Sequence, residues 1–407
     1  MIKRELYLKK IRPFIGNDLV KVLTGIRRSG KSVMLDLIKE ELIQNSIDRE
    51  CIISINFENM SNAFLNNAEV LHRYITDRVN EINRKSNRKI YLFFDEIQEV
   101  KDWEKCINSF RLEFDCDIYI TGSNAKLLSG ELATYLAGRY VEFTIYPFSF
   151  EEFCLLYKSY YNDASTKNCF SKFIVLGGMP SLGSIHFDET ASFSYLNDIF
   201  NSIELKDVIK RNSIKDAYLL ERIILYIISN TGSVFSSSSL SKFFKSEGRA
   251  VSKEKILNYL KACTDAFLFY RIKRQDLQGK KILTINEKYY IADHGIREAI
   301  FGDNKKNINL ILENIVCLEI LRREYNCTVG KINGQEIDFV CQKQGNIVYI
   351  QVSYLLASEE TIHREFDVFY KIPDNFPKYV VSLDEIDISR DGIKHMNIID
   401  FLLTKEW

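Results

Sequence analysis

No charge imbalance marks this chain: 55 Lys and Arg stand against 55 Asp and Glu in 407 residues. Net charge therefore names no partner, and only local charge can. No Cys-x-x-Cys occurs among the nine cysteines, an odd number scattered from Cys51 to Cys341. A disulfide framework or zinc spacing is not expected; reduced thiols in a cytoplasmic setting are. No apolar run approaches the roughly 18 residues of a membrane span, so no membrane partner is expected. The opening MIKRELYLKK lacks the apolar core of a secretory signal. Internal repeats are missing, and the only biased stretch, the serines at 236–239, reads as a loop or helix cap.

The remainder is ordinary for a globular chain, with 46% hydrophobic and 27% charged residues. The length exceeds the roughly 250–300 residues that one core supports, so about two to four domains are expected.

GIRRSGKS (25–32) fits G-x-x-x-x-G-K-[S/T]. It follows LVKVLTG (19–25), which reads as a short buried strand. It precedes SVMLDLIKEEL (32–42), where Val33, Met34, Leu37, Ile38 and Leu42 recur at a helical period. A strand-to-helix turn is the setting in which this motif cradles phosphate. Gly25 and Gly30 let the backbone curl so that successive N–H groups face one point. The positive end of the helix dipole adds to the field. Gly25, Arg28, Ser29, Gly30, Lys31, Ser32 and Val33 are the expected nucleotide-binding residues. Lys31 is expected to reach the β- and γ-phosphates of ATP, and Ser32 to ligate Mg2+.

IYLFFDEIQEV (90–100) supplies a second element, a buried-type strand ending in Asp95 and Glu96. Asp95 is expected to hold the Mg2+ shell and Glu96 to polarise the attacking water. CIISINF (51–57) and CDIYITGSNAKLL (116–128) read as further strands. The latter ends in Thr121, Ser123 and Asn124. Asn124 is a candidate to contact the γ-phosphate or orient water, with simple turn chemistry as the alternative. Arg139 is a candidate to neutralise transition-state charge in its own site or a neighbour's. A surface ion pair is the alternative.

Residues 155–215 have a mixed pattern broken at FIVLGGMPSL (173–182) and read as a helical lid or linker. Three helical patterns follow, at 216–232, 236–248 and 251–267, then two strands around DLQGKK within 268–293. That is a winged helix-turn-helix order. From Leu240 to Lys281 there are 11 Lys/Arg and 4 Asp/Glu. Lys253, Lys255 and Lys261 fall on the third helix. Arg271, Lys273, Arg274, Lys280 and Lys281 fall on the wing. A basic helix beside a basic wing grips phosphates, so DNA is the expected partner; a protein-packing or solvated face is the alternative.

In the last quarter, NINLILENIVCLEILRR (307–323) is an apolar-periodic helix carrying Glu313, GQEIDFVCQ (334–342) a strand with Asp338, and NIVYIQVSYL (346–355) a strand with Gln351 and Ser353. The order resembles the PD-D/ExK nuclease core, in which carboxylates bind Mg2+ and a lysine steadies the attacking water. Here Gln351 replaces the second carboxylate and Ser353 the lysine. Lys306 to Trp407 hold 11 Lys/Arg against 16 Asp/Glu, unfavourable for a DNA groove. Glu313, Asp338 and Gln351 are expected to be a vestigial nuclease site, and the domain to recruit an unidentified protein.

LTGIRRSGKS, FFDEIQEV, ITGSNAKLLS, LAGRY and YPFSFEEF, with ENIVCLEILRR and GQEIDFV later, resemble AAA+-type bacterial and archaeal ATPases. In those proteins a P-loop domain precedes a winged helix and a restriction-endonuclease-like domain. The resemblance implies ATP binding and hydrolysis. The expected fold is α/β: a P-loop NTPase core with parallel sheet (1–154), a helical lid (155–215), a winged helix (216–300) and an α/β restriction-endonuclease-like domain (301–407). Hydrolysis coupled to DNA or complex remodelling is the first expectation, with homo-oligomers through the ATPase domains if Arg139 acts in trans. A nucleotide-controlled signalling or defence switch is the alternative, and a metal-dependent nuclease the third reading.

Overall fold

The computed structural model describes residues 2–85, 88–125, 136–279 and 281–407. Contacts divide the chain into two compact units, residues 1–145 with 265–267, and residues 146–264 with 268–407.

Five strands build the first unit's sheet: β1 (Val20–Thr24), β2 (Ile52–Asn56), β3 (Ile90–Asp95), β4 (Cys116–Thr121) and β5 (Tyr140–Thr144). Their order is β2-β3-β4-β1-β5, and every neighbouring pair is parallel. β1, β3 and β4 are buried along their whole length, so they read as unbroken apolar runs rather than alternating ones. Lys21 of β1 interrupts its run. It is fully buried, 2.5 Å from Asp117 of β4. Asp117 also accepts from the Tyr119 hydroxyl at 2.9 Å and the Gly16 N–H at 2.7 Å, so neither buried charge is left alone.

Among the described residues the unit's α-helices are α1 (Glu5–Ile11), α2 (Lys31–Gln44), α3 (Ala68–Lys85) and α4 (Trp103–Glu113). Leu71, Ile75 and Val79 of α3 and Trp103, Ile107 and Phe110 of α4 recur every three or four residues. They join Val22, Leu92, Phe94 and Ile120 in one core. Each such side chain contributes about 1.5–3 kcal/mol of transfer free energy. In α2 the inward face is Lys31, Met34, Leu35, Ile38 and Leu42. Val33, expected on that face, is exposed, because the buried Lys31 sets the rotation of the first turn. Parallel register brings the strands' carboxyl ends level: Asn56 lies opposite Asp95, and Leu23 opposite Thr121. Ligands of open α/β sheets bind at that edge.

The second unit opens with α5 (Phe150–Tyr160), started by a capping box in which Ser149 and Glu152 bond each other's backbone N–H. α6 (Thr166–Leu176), α7 (Glu189–Ser202) and a π-helical segment (Ile203–Lys210) follow. Next come α8 (Ala217–Ser229), α9 (Ser237–Ser246), α10 (Lys253–Asp265) and an antiparallel hairpin of β6 (Phe269–Asp276) and β7 (Lys281–Ile291). This is the expected order of three helices and two strands. The hairpin does not stand free, however. Lys273, Arg274, Gln275 and Asp276 of β6 pair in parallel with Thr328 to Lys331 of β8 (Asn326–Ile332).

With β9 (Gln335–Lys343), β10 (Asn346–Val352), β11 (Lys378–Ser382) and β12 (Lys394–Asn397), the sheet runs β12-β11-β10-β9-β8-β6-β7. The boundary expected between residues 300 and 301 therefore cuts one continuous sheet. Pairing between distant strands leaves no local mark in a sequence. α11 (His294–Phe301) leads to α12 (Ile308–Arg322), which is buried around its circumference, by Ile311, Leu312, Ile315, Val316, Cys317 and Leu318 among others. It is an interior helix rather than an amphipathic surface one. α13 (Glu359–Phe366) and the following turn place Ile362, Phe366, Phe369 and Ile372 against Val340, Tyr349 and Val380. No described helix is long and apolar enough to cross a membrane.

Candidate functional site

The turn from β1 into α2 is shaped by backbone that side chains disfavour. Gly25 has φ +133°, and a Cβ there would stand 2.3 Å from the Ile145 carbonyl oxygen. Gly30 has φ +98°. Arg28 takes φ +67° without being glycine, a strained geometry of the kind stored at functional loops. No side-chain hydrogen bond caps α2, and the first-turn N–H groups of a helix are the ones that bind an anion. Val33 would contribute only through its N–H. The buried Ser29 hydroxyl has no partner among the described residues, whereas buried polar groups nearly always have one. A phosphate oxygen would satisfy it, so the cradle fits a nucleotide's phosphates. Lys31 is buried, and its Nζ donates to the carbonyls of Gly25 at 3.1 Å and Ile26 at 3.3 Å.

The acidic pair lies beside this lysine. Glu96 Oε1 is 4.0 Å from Lys31 Nζ, and Gln98 donates to Glu96 Oε2. Burial pushes the Glu96 carboxyl above its ordinary range, while the Lys31 charge and the Gln98 hydrogen bond pull it back. Glu96 takes φ +55°, and its N–H donates to Thr121 Oγ1 at 2.9 Å. That same hydroxyl donates to Asp95 Oδ1 at 2.5 Å. Asn56 Nδ2 donates to Asp95 Oδ2 at 2.8 Å. The ends of β2, β3 and β4 thus fix both acids next to the phosphate cradle.

Two contributors escaped the sequence reading. Asn56 is the polar end of an apolar strand, the same signal that marked Asp95. Arg4 gave no usable signal. It is fully buried, and its NH1 donates to the Ser29 carbonyl at 3.0 Å, holding the back of the turn from the N-terminal segment.

Ser123 and Asn124 are buried just past β4, where Gly122 donates to the Leu23 carbonyl at 3.1 Å. The rest of that expected motif, residues 126–128, lies outside the described residues. Arg139 is not brought to the cradle of its own chain. It is exposed, and its carbonyl accepts from Val20, the first residue of β1, whereas the cradle follows the last. At about 3.3 Å per residue the strand separates them by about 15 Å.

In the second unit the expected DNA-contact cations are largely paired. Lys255 lies 3.2 Å from Asp216, Arg274 3.1 Å from Glu336, and Arg271 3.7 Å from Glu287. Lys253 and Lys273 are exposed, and Lys280 lies outside the described residues. The expected vestigial residues do converge. The Asp338 N–H donates to Gln351 Oε1 at 3.1 Å, and Glu313 and Asp338 approach one ammonium group, that of Lys288.

Comparison with known proteins agrees with this geometry. The family model described as an AAA domain matches residues 17–154, and one described as a domain of unknown function matches residues 168–307. An uncharacterized protein of Haemophilus influenzae is 39% identical over 406 residues, 99% of either chain. An uncharacterized protein of Methanocaldococcus jannaschii is 30% identical over 420 residues, covering 98% of this chain and 88% of its own. Among solved structures, the Walker-type ATPase PABY2304 of Pyrococcus abyssi superposes with TM-score 0.51 at 15% identity, covering 74% of this chain and 96% of that one. This chain belongs to one family with its Haemophilus influenzae and Methanocaldococcus jannaschii relatives, and its N-terminal part is an AAA-family P-loop ATPase domain.

Proposed function

We propose that this chain binds ATP with Mg2+ at the 25–33 cradle and hydrolyses it. The convergence of an uncapped helix N-terminus, the buried Lys31 and the Asp95–Glu96 pair carries this reading. When bound, Mg2+ supplies charge neutralisation at the β- and γ-phosphates. Lys31 turns from the Gly25 and Ile26 carbonyls to the phosphates. Ser32 and Asp95 hold the metal's shell, with Asp95 oriented by Thr121 and Asn56. Glu96 accepts the proton of the attacking water. Asn124 orients the γ-phosphate side. Arg139, exposed at the far edge of the sheet, serves a neighbouring copy if it serves any site. Lys31→Ala is expected to abolish nucleotide binding. Glu96→Gln is expected to retain ATP and lose turnover by about 10²–10⁴-fold. Normal turnover of the Glu96 variant would reject that residue as base.

The same proposal reads α8–α10 with the hairpin as a winged helix, and the sheet beyond residue 301 as endonuclease-like. DNA contact through Lys253, Lys255, Arg271, Lys273 and Arg274 would couple hydrolysis to remodelling. The acidic partners of Lys255, Arg271 and Arg274 favour a second reading, a nucleotide-controlled switch whose C-terminal part recruits a protein. Turnover stimulated by duplex or branched DNA supports remodelling. Turnover indifferent to DNA supports the switch.

A further inference from the structure

Three carboxylates of the second unit surround one ammonium group. Lys288 comes from β7, Glu313 from α12, and Glu336 and Asp338 from β9. Lys288 Nζ lies 2.8 Å from Glu313 Oε1, 2.8 Å from Glu336 Oε1 and 3.7 Å from Asp338 Oδ1. The lysine is 3% exposed. Its neighbours are held as well. Tyr290 donates its hydroxyl proton to Glu313 Oε1 at 2.7 Å, and Arg274 NH2 donates to Glu336 Oε2 at 3.1 Å. The Val352 N–H donates to Asp338 Oδ2 at 2.9 Å.

Gln351 sits on the strand where an endonuclease-like site would carry its second carboxylate. Its carbonyl oxygen accepts from the Asp338 N–H, and its amide nitrogen donates to Glu365 Oε2 at 2.9 Å. That amide therefore ties two buried acids together instead of facing a cation.

A magnesium ion needs about six oxygen ligands at about 2.0–2.1 Å and keeps several waters among them. Here the space between Glu313, Glu336 and Asp338 already holds an ammonium group in contact with two of them. A second cation so close would meet direct repulsion in a buried site. Among the described residues, as they stand with Lys288 between the carboxylates, no cluster of three or more His, Cys, Asp or Glu side chains could hold a metal ion. The residues do not fit the metal that an endonuclease-like fold implies.

We propose that Lys288 is the resident cation of this cage: its ammonium group takes the seat of a divalent metal, locks β7, α12 and β9 together, and leaves a site that neither binds metal nor cleaves nucleic acid. The expectation of a metal here rests on the endonuclease-like reading above; the cage itself rests on the distances. The sequence reading places Ser353 where the nuclease lysine would stand. A lysine is present, but it enters from the hairpin and closes the site.

The test is Mn2+ binding followed by electron paramagnetic resonance on the full chain, without nucleotide. An Asp95→Asn background keeps the ATPase site from contributing. With Lys288 present, the cage is expected to take no Mn2+. Lys288→Ala is expected to bind a single Mn2+, which Lys288→Ala/Asp338→Asn loses again. Mn2+ bound with Lys288 present and lost on Asp338→Asn would overturn the proposal while strengthening the endonuclease-like reading. A folded Lys288→Ala chain that takes no Mn2+ would overturn the proposal that the ammonium group fills a metal's seat, and would leave the vestigial endonuclease-like reading standing. If Lys288→Ala does not fold, the comparison of Lys288-containing chains with and without Asp338→Asn still decides. ATP binding is measured separately and is untouched by either result.

Discussion

Both units bury a lysine beside carboxylates, and the two arrangements differ by little more than an ångström. In the first, Lys31 Nζ stands 4.0 Å from Glu96 and is held by the neutral carbonyls of Gly25 and Ile26. In the second, Lys288 Nζ touches Glu313 and Glu336 at 2.8 Å each. Neutral carbonyls are weaker partners than carboxylates, so Lys31 can exchange them for a phosphate at small cost. Lys288 would have to leave Glu313 without a cation, and Glu336 with Arg274 alone, and the loss at the largely buried Glu313 is expensive. The ingredients match, but one site is poised for a ligand and the other is filled by its own side chain. A lysine near paired acids does not by itself mark a reaction centre; what matters is which partner the ammonium group would have to give up.

The largest effect expected from this contrast is on stability. Lys288→Ala leaves three carboxylates without their shared cation and is expected to lower the unfolding free energy by about 3–5 kcal/mol, the usual cost of breaking a buried pair from one side. Lys31→Ala forfeits two hydrogen bonds to carbonyls and a longer approach to the single carboxylate of Glu96, so its loss is expected to be smaller. Urea titrations of the two variants compare them directly. Equal midpoints would erase the distinction between a locked and a poised lysine.

A smaller effect sharpens the account of the poised site. Arg4 is buried and donates to the Ser29 carbonyl in the turn. Arg4→Ala leaves that carbonyl short of a donor, worth about 1–3 kcal/mol. The expected result is weaker ATP binding, with KM raised and kcat largely kept, and partial rescue by Arg4→Lys. A fall in kcat at unchanged KM would instead place Arg4 in the chemistry.

These residues also show where sequence reading ends. GIRRSGKS between a buried strand and a helix, and IYLFFD ending in paired acids, declare themselves because their chemistry is local: a turn, a helix start, a strand end. Arg4, Asn56 and Lys288 do not, because each acts on a partner brought near only by the fold. The β6–β8 pairing is invisible for the same reason, and with it the continuity of the sheet across residue 300. Arg139 shows the opposite difficulty for a role in its own chain's site. An arginine in a plausible stretch invites a role, but parallel register with β1 puts it at the far end of the strand from the cradle.

The smallest effect expected is a displacement in pH, and it tests Glu96 as the group that takes the proton. Burial raises its carboxyl above the ordinary glutamate range, with the Lys31 charge and the Gln98 hydrogen bond opposing. A base must be ionised to accept a proton, so below the raised value turnover falls, and it recovers as pH rises through it. The acid limb of kcat should therefore lie above the range of a solvated glutamate. Gln98→Leu removes a donor that favours the ionised form, so the limb should move further up without loss of the plateau at high pH. An acid limb that stays in place in Gln98→Leu would mean that the titrating group is not Glu96. The second unit's cage is expected to offer no such lever on turnover, because its lysine is already committed to Glu313 and Glu336.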